Sequence, residues 1–146
     1  MIPGIENVLQ LVIESYPTVR KWFRSLFAIK NVPLTTTQLV CLLCVANLKQ
    51  TTMSNLADKM FMSNQQLTKL VDGLVKFDLI KREVVPQNRR QILVSVSEKG
   101  SELIAQLKQE ITEKCKTFIS SSCTIAETTE LYNSLITLTS FIMRHG

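Results

Sequence analysis

Along most of the chain, apolar residues recur at spacings of three and four. Only in one stretch, 79–96, do they alternate by two. This pattern predicts helices at both ends and a single β-hairpin between them. The first helical stretch covers Met1 to Asn31, with Ile5, Val8, Leu9, Val12, Tyr16, Val19, Phe23, Leu26 and Phe27 on its stripe. Pro17 removes one backbone hydrogen bond and crowds the turn before it, so a kink or break is expected near 15–17. The stripe is long for one small core, which predicts that it also meets a second subunit. The next helix, 35–48, has Thr35 as its cap. The preceding Leu34 and the following Gln38 and Leu39 complete a hydrophobic staple and a capping box. Its apolar residues fall on almost every side, as in a buried helix.

The chain is organised around residues 52–97. A short helix over 54–60 places Leu56, Ala57 and Met60 on one face, and Phe61-Met62-Ser63 then breaks it. Ser63 suits an N-cap, with Gln66 three residues on and Met62 and Leu67 flanking as a staple. The helix it opens, 64–77, turns Leu67, Leu70, Val71 and Leu74 toward the core. Asn64, Gln65, Gln66, Thr68 and Lys69 are left for its outer face. The two alternating runs, 79–85 and 91–96, follow at once, joined by a loop read as Pro86-Gln87-Asn88-Arg89-Arg90. Two adjacent arginines at a hairpin tip have no part in core packing. Helix, turn, helix and a hairpin with a basic tip make a winged helix-turn-helix. Its second helix is the size that enters a DNA major groove, and its tip can reach the neighbouring backbone or minor groove.

Beyond the hairpin, Ser97 or Glu98 opens a helix to about Ser120, with Leu103, Ile104, Leu107, Ile111, Phe118 and Ile119 on its apolar side. Gly100 in its first turn is expected to cost little. Residues 120–123 form a polar break. Thr124 with Glu127 is a third capping box, and the last helix carries Leu131, Leu135, Leu138 and Ile142. The fold class is therefore mainly α (α+β), a winged helix-turn-helix over 34–97 flanked by helical regions over 1–33 and 98–146.

Charge sharpens this picture. The net charge is +5, and residues 59–90 hold seven lysines and arginines against three carboxylates. Positive charge concentrated on the helix-turn-helix and wing is what a phosphate-binding face requires. No secretory signal pattern and no apolar run near the length of a membrane span are seen, so a cytoplasmic protein with no membrane association is expected. The cysteines, Cys41, Cys44, Cys115 and Cys123, are then expected to be reduced. The C-x-x-C spacing of Cys41 and Cys44 invites a zinc or redox reading. Nearby sequence supplies no second Cys or His pair, and small buried apolar roles suit free cysteines. No metal, no cofactor and no catalytic constellation is expected. The single histidine, His145, lies at the tail, and there is no Gly-rich phosphate loop.

The segments Leu56-Ala57, 67–74 (LTKLVDGL), 79–82 (LIKR), 88–90 (NRR) and 96–100 (VSEKG) resemble the MarR family of bacterial transcriptional regulators. With the flanking helices, the resemblance covers nearly the whole chain. Three positions depart from the family pattern. Asn88 stands for Asp, Asp78 for Gly and Ser97 for Thr. The family Asp holds a wing arginine by an ion pair, and Asn88 lacks that charge. The resemblance implies a homodimer held by the terminal helices. It also implies a transcriptional regulator, a repressor released by a small, often aromatic, ligand.

The residues then assign roles. A two-fold dimer presents two recognition helices to a pseudo-palindromic double-stranded DNA. Ser63, Asn64, Gln65, Gln66 and Thr68 are candidates for base edges and nearby phosphates, with Lys69, Arg89 and Arg90 supplying charge. Tyr16, Trp22, Phe23, Phe27, Cys41 and Cys44 either line an effector space or belong to the core. Two alternatives remain open. One is a cysteine-based redox sensor of the same fold, and the other is a winged helix used for protein contact without DNA.

Overall fold

Three helices begin where a hydroxyl and a glutamine or glutamate stand three residues apart. In the computed structural model, which describes residues 4–29 and 32–145 apart from the side chains of Arg89 and Arg90, these pairs are Thr35 with Gln38, Ser63 with Gln66 and Thr124 with Glu127. In each, the side chains exchange hydrogen bonds with each other's backbone amides, satisfying two donors that a helix start otherwise leaves unpaired. They open α2 (Thr36–Leu48), α4 (Asn64–Lys76) and α6 (Ile125–His145). The remaining helices are α1 (Ile5–Leu26), α3 (Met53–Lys59) and α5 (Glu98–Ser122), and the strands are β1 (Gln50–Thr52), β2 (Ile80–Val85) and β3 (Asn88–Val96). The fold is mostly helical with a small antiparallel sheet, as the pattern of periods predicted.

The chain divides into two compact units, residues 1–109 and 110–146. The first holds the core. Leu42 and Val45 of α2, Leu56 and Ala57 of α3, Leu67, Val71 and Leu74 of α4, Ile80 of β2, Val94 of β3 and Ile104 of α5 pack into one cluster. Leu70 and Met60 pack against it from the side, half-buried. In the second unit, α6 has no buried residue. Tyr132, Leu138 and Phe141 are all more than half exposed.

The structure corrects the sequence reading at several points. α1 runs unbroken through Pro17. The carbonyl that loses its amide partner belongs to Ile13, itself 72% exposed, so water can replace the missing donor. The described part of the helix ends at Leu26 rather than Asn31, which lies outside the described residues. α5 continues to Ser122, which shortens the expected polar break to Cys123 and Thr124. β1 was not foreseen. It pairs with β3 (Thr51 opposite Val94), giving the sheet order β1-β3-β2. Buried Thr51 accepts a 2.7 Å bond from the Asn55 side chain. The wing turn is also tighter than the five-residue loop expected. Val85 pairs with Asn88, so Pro86 and Gln87 alone make the turn. The register then jumps, since Val84 faces Ile92. Arg89, Arg90 and Gln91 thus fall in an irregular segment of β3 rather than in the loop, and extra residues on one strand twist and bend it.

α3 and α4 end alike. Phe61 and Asp78 take left-handed backbone angles (φ 52° and 58°). Around each, the two residues after the cap bond back into the last turn. Phe61 and Met62 donate to Asp58 and Ala57, and Asp78 and Leu79 donate to Val75 and Leu74. This is the closing motif that glycine usually serves. It explains why a relative would carry glycine where this chain has Asp78.

Candidate nucleic-acid interface

The outer face of α4 is built by its own cap. Ser63 Oγ accepts from the Gln66 amide at 3.2 Å, while Gln66 Oε1 accepts from the Ser63 amide and hydroxyl, both at 3.1 Å. Ser63 and Gln66 are thereby occupied in holding the helix start. Thr68 donates its hydroxyl to the Asn64 carbonyl at 2.8 Å. The side chains of Asn64 and Gln65 are exposed and make no hydrogen bond to any described residue, and Lys69 is exposed one turn further on.

Beside this face lies the wing. Arg82 Nη1 on β2 meets Asp72 Oδ1 of α4 at 2.6 Å, and its Nη2 donates to the Thr68 carbonyl at 3.4 Å. This brace ties the wing strand to α4 and is partly shielded, with the two side chains 28% and 46% exposed. A groove of about 390 Å³ separates the helix starts from the wing, with Ser54, Asn64 and Thr68 on one wall and Arg82, Asn88 and Gln91 on the other. Arg82, Asp72 and Gln91 were not singled out as site residues from the sequence. The only signal for the brace was opposite charge at positions ten apart, which becomes a contact only when β2 folds back along α4. The backbone of Arg89 and Arg90 lies in β3, next to this groove's Asn88 and Gln91.

The six residues considered for an effector differ widely in exposure. Tyr16 and Phe23 on α1 are 60% and 43% exposed, and Trp22 meets Phe23 edge-on with ring centroids 5.0 Å apart. Phe27 and Cys44 are half-buried, and Cys41 is fully buried. A separate cavity of about 290 Å³ opens in the first unit against Leu34, Phe77, Leu79, Leu103 and Gln106, and its described lining includes none of the six. Lys99, also on its wall, donates to the Phe77 carbonyl at 2.9 Å.

Residues 34–92 match the MarR family model. They are a MarR-family domain. The fold of the chain as a whole is similar to solved MarR-type structures. A cysteine-to-serine mutant of MarR from E. coli, complexed with operator DNA, superposes with a TM-score of 0.74 at 18% identity, over 93% of this chain and 99% of that one. A MarR family protein from Bacillus stearothermophilus gives 0.75 at 19% identity over 95% of each chain. The transcriptional regulator BldR from Sulfolobus solfataricus gives 0.72 at 20%, over 93% of this chain and 99% of that one. No curated protein matches the chain in sequence. At these identities the MarR-type architecture is shared, while the outer residues of α4 belong to this chain. Among the described residues, no helix is long and apolar enough to cross a membrane.

The thiols of α2 are suppressed by their surroundings. Burial, and then the neighbouring Cys44, push Cys41 up to about 12. Burial also raises Cys44, partly offset by Lys59. Relative to an ordinary thiol, the Cys41 thiolate fraction near neutral pH is lower by about a thousandfold. Cys41 should therefore be the last cysteine labelled by a thiol reagent in the native protein, and Cys123, between α5 and α6, should react early. Oxidant-sensitive DNA binding that Cys41→Ser made resistant would contradict this and favour the redox-sensor alternative.

Proposed function

We propose that this protein is a homodimeric, sequence-specific double-stranded DNA-binding transcriptional regulator, a repressor released by a small ligand. The observation that carries the reading is the polar, exposed start of α4 beside a groove and a basic wing, within a MarR-type fold. In this arrangement the first turns of α4 enter a major groove and the wing follows the adjacent backbone. Ser63 at the helix start and Lys69, Arg89 and Arg90 contribute phosphate contacts, which position the protein, while side chains on the outer face of α4 read bases.

Dimerisation is supported by apolar side chains that one chain leaves uncovered. On α1, Ile5, Leu9 and Val12 are 77%, 55% and 58% exposed. On α6, Ile125, Phe141 and Met143 are 89%, 57% and 83% exposed. Apolar stripes of this kind on a soluble chain are ordinarily covered by a partner. A second copy of the chain, meeting the first about a two-fold axis, places two recognition helices one DNA turn apart. Release by a ligand is supported by the apolar cavity beside Phe77 and Leu103, at the junction of α4 and α5.

The test has two parts. Anisotropy titration against random duplex at low salt should give binding that weakens steeply as salt rises, and selected duplexes should bind more tightly than random ones. Absence of binding at low salt would leave the protein-contact alternative. Sedimentation velocity should find a dimer. Ending the chain after Ser122 removes all of α6 and should give an aggregated or unfolded product. A soluble, folded monomer from that truncation would take α6 out of the interface.

A further inference from the structure

Three carboxamides stand side by side at the start of α4, and the structure separates them. Gln66 has its carbonyl oxygen committed to Ser63, at 3.1 Å from both the amide and the hydroxyl. Asn64 lines the groove on the side of the wing, where a nucleic-acid backbone would pass. Gln65 lies outside that groove lining. It is exposed and makes no hydrogen bond to any described residue, and Lys69 lies one turn beyond it. α4 carries no arginine, the side chain that pairs bidentately with guanine. A free glutamine has the complementary pattern for adenine, since its oxygen accepts from N6 and its amide donates to N7.

Resting on the DNA-binding function proposed above, we infer that Gln65 is the specificity-determining residue of each half-site, that it reads an adenine in the major groove, and that its neighbour Gln66 does not read a base. A bidentate reader needs both ends of the carboxamide. Gln66 can offer both only by giving up the cap of its own helix, whereas Gln65 gives up nothing.

The chain supplies the control for its own test. At the start of α6, Glu127 takes the place that Gln66 has in α4, accepting from the Thr124 amide and hydroxyl at 2.7 and 2.8 Å. Gln66→Glu therefore keeps a capping box this protein already uses, and a carboxylate at a helix N-terminus is favourable. Gln65→Glu adds the same charge one residue away. Both variants weaken the general attraction to phosphate alike, so a difference in base preference between them reports readout.

The experiment is selection from a randomised duplex library at low salt with the wild type, Gln65→Glu and Gln66→Glu, followed by titration on the enriched duplexes. The wild type should enrich an adenine at one position in each half-site. Replacing it should weaken binding roughly 5- to 150-fold. Gln65→Glu should exchange that adenine for cytosine, whose N4 donates to a carboxylate. Gln66→Glu should retain adenine. Independently of any variant, 7-deazaadenine at the enriched position should weaken wild-type binding, because N7 is gone. A preference unchanged in Gln65→Glu, a preference switched by Gln66→Glu, or indifference to 7-deazaadenine would overturn the assignment while leaving the DNA-binding function standing. A wild type that enriches no duplex would overturn both.

Discussion

Gly100→Ala is expected to destabilise the protein by about 1–3 kcal/mol, the range for forcing a methyl group into a packed site. From helix propensity alone the opposite sign follows, because alanine is favoured over glycine in a helix by about 1 kcal/mol. The backbone at Gly100 has no left-handed angle that would call for glycine, so its role is spatial. A Cβ there would overlap the Leu79 carbonyl oxygen and stand 2.8 Å from Val96 Cγ1. Neither neighbour can withdraw easily. The Leu79 carbonyl accepts from the Ser97 amide at 3.0 Å, and the Leu79 amide donates to Leu74 at 3.0 Å. Ser97 Oγ bridges the Asp78 carbonyl at 2.5 Å and the Gly100 amide at 2.9 Å. The start of α5 is thus bolted to the turn that closes α4, and an added methyl group must pry the two apart. Urea unfolding at fixed protein concentration measures the effect as a lower midpoint. An alanine variant as stable as the wild type would show that this junction yields without cost.

Replacing both Arg89 and Arg90 by alanine is expected to flatten the dependence of log affinity on log salt by roughly two to four units. The double substitution removes four positive charges from a dimer. Each phosphate contact on duplex DNA contributes about 0.9 to the slope. Between 50 and 200 mM salt, the wild type should then lose roughly 16- to 250-fold more affinity than the variant. Preference among sites should change little, since phosphate contacts position a protein without naming bases. An arginine entering a narrow A·T-rich minor groove would be the exception, because it would read groove shape. The wing should stay in place in the variant, because the ion pair that ties it to α4, Arg82 with Asp72, lies elsewhere. An unchanged slope would remove the wing from DNA binding.

What depends on residues within one turn of each other was legible along the chain. The capping pairs at Thr35, Ser63 and Thr124 set three helix starts to the residue, because a cap is a contact between positions three apart. The stripe Leu67, Val71 and Leu74 was legible for the same reason, and all three are fully buried. The MarR resemblance was carried by such local runs, and the family model matches 34–92. Features that join distant segments took shape only when the elements packed together. β1 is three residues long and exists because β3, about forty positions further along the chain, supplies its hydrogen bonds. The brace between Asp72 and Arg82, the groove between α4 and the wing, and the crowding at Gly100 all arise where elements meet. Sequence spacing carries no record of those distances. Of the kink or break expected at Pro17, the break did not form, because the cost of a missing hydrogen bond depends on what surrounds the orphaned carbonyl, and the residue that bears it, Ile13, is 72% exposed.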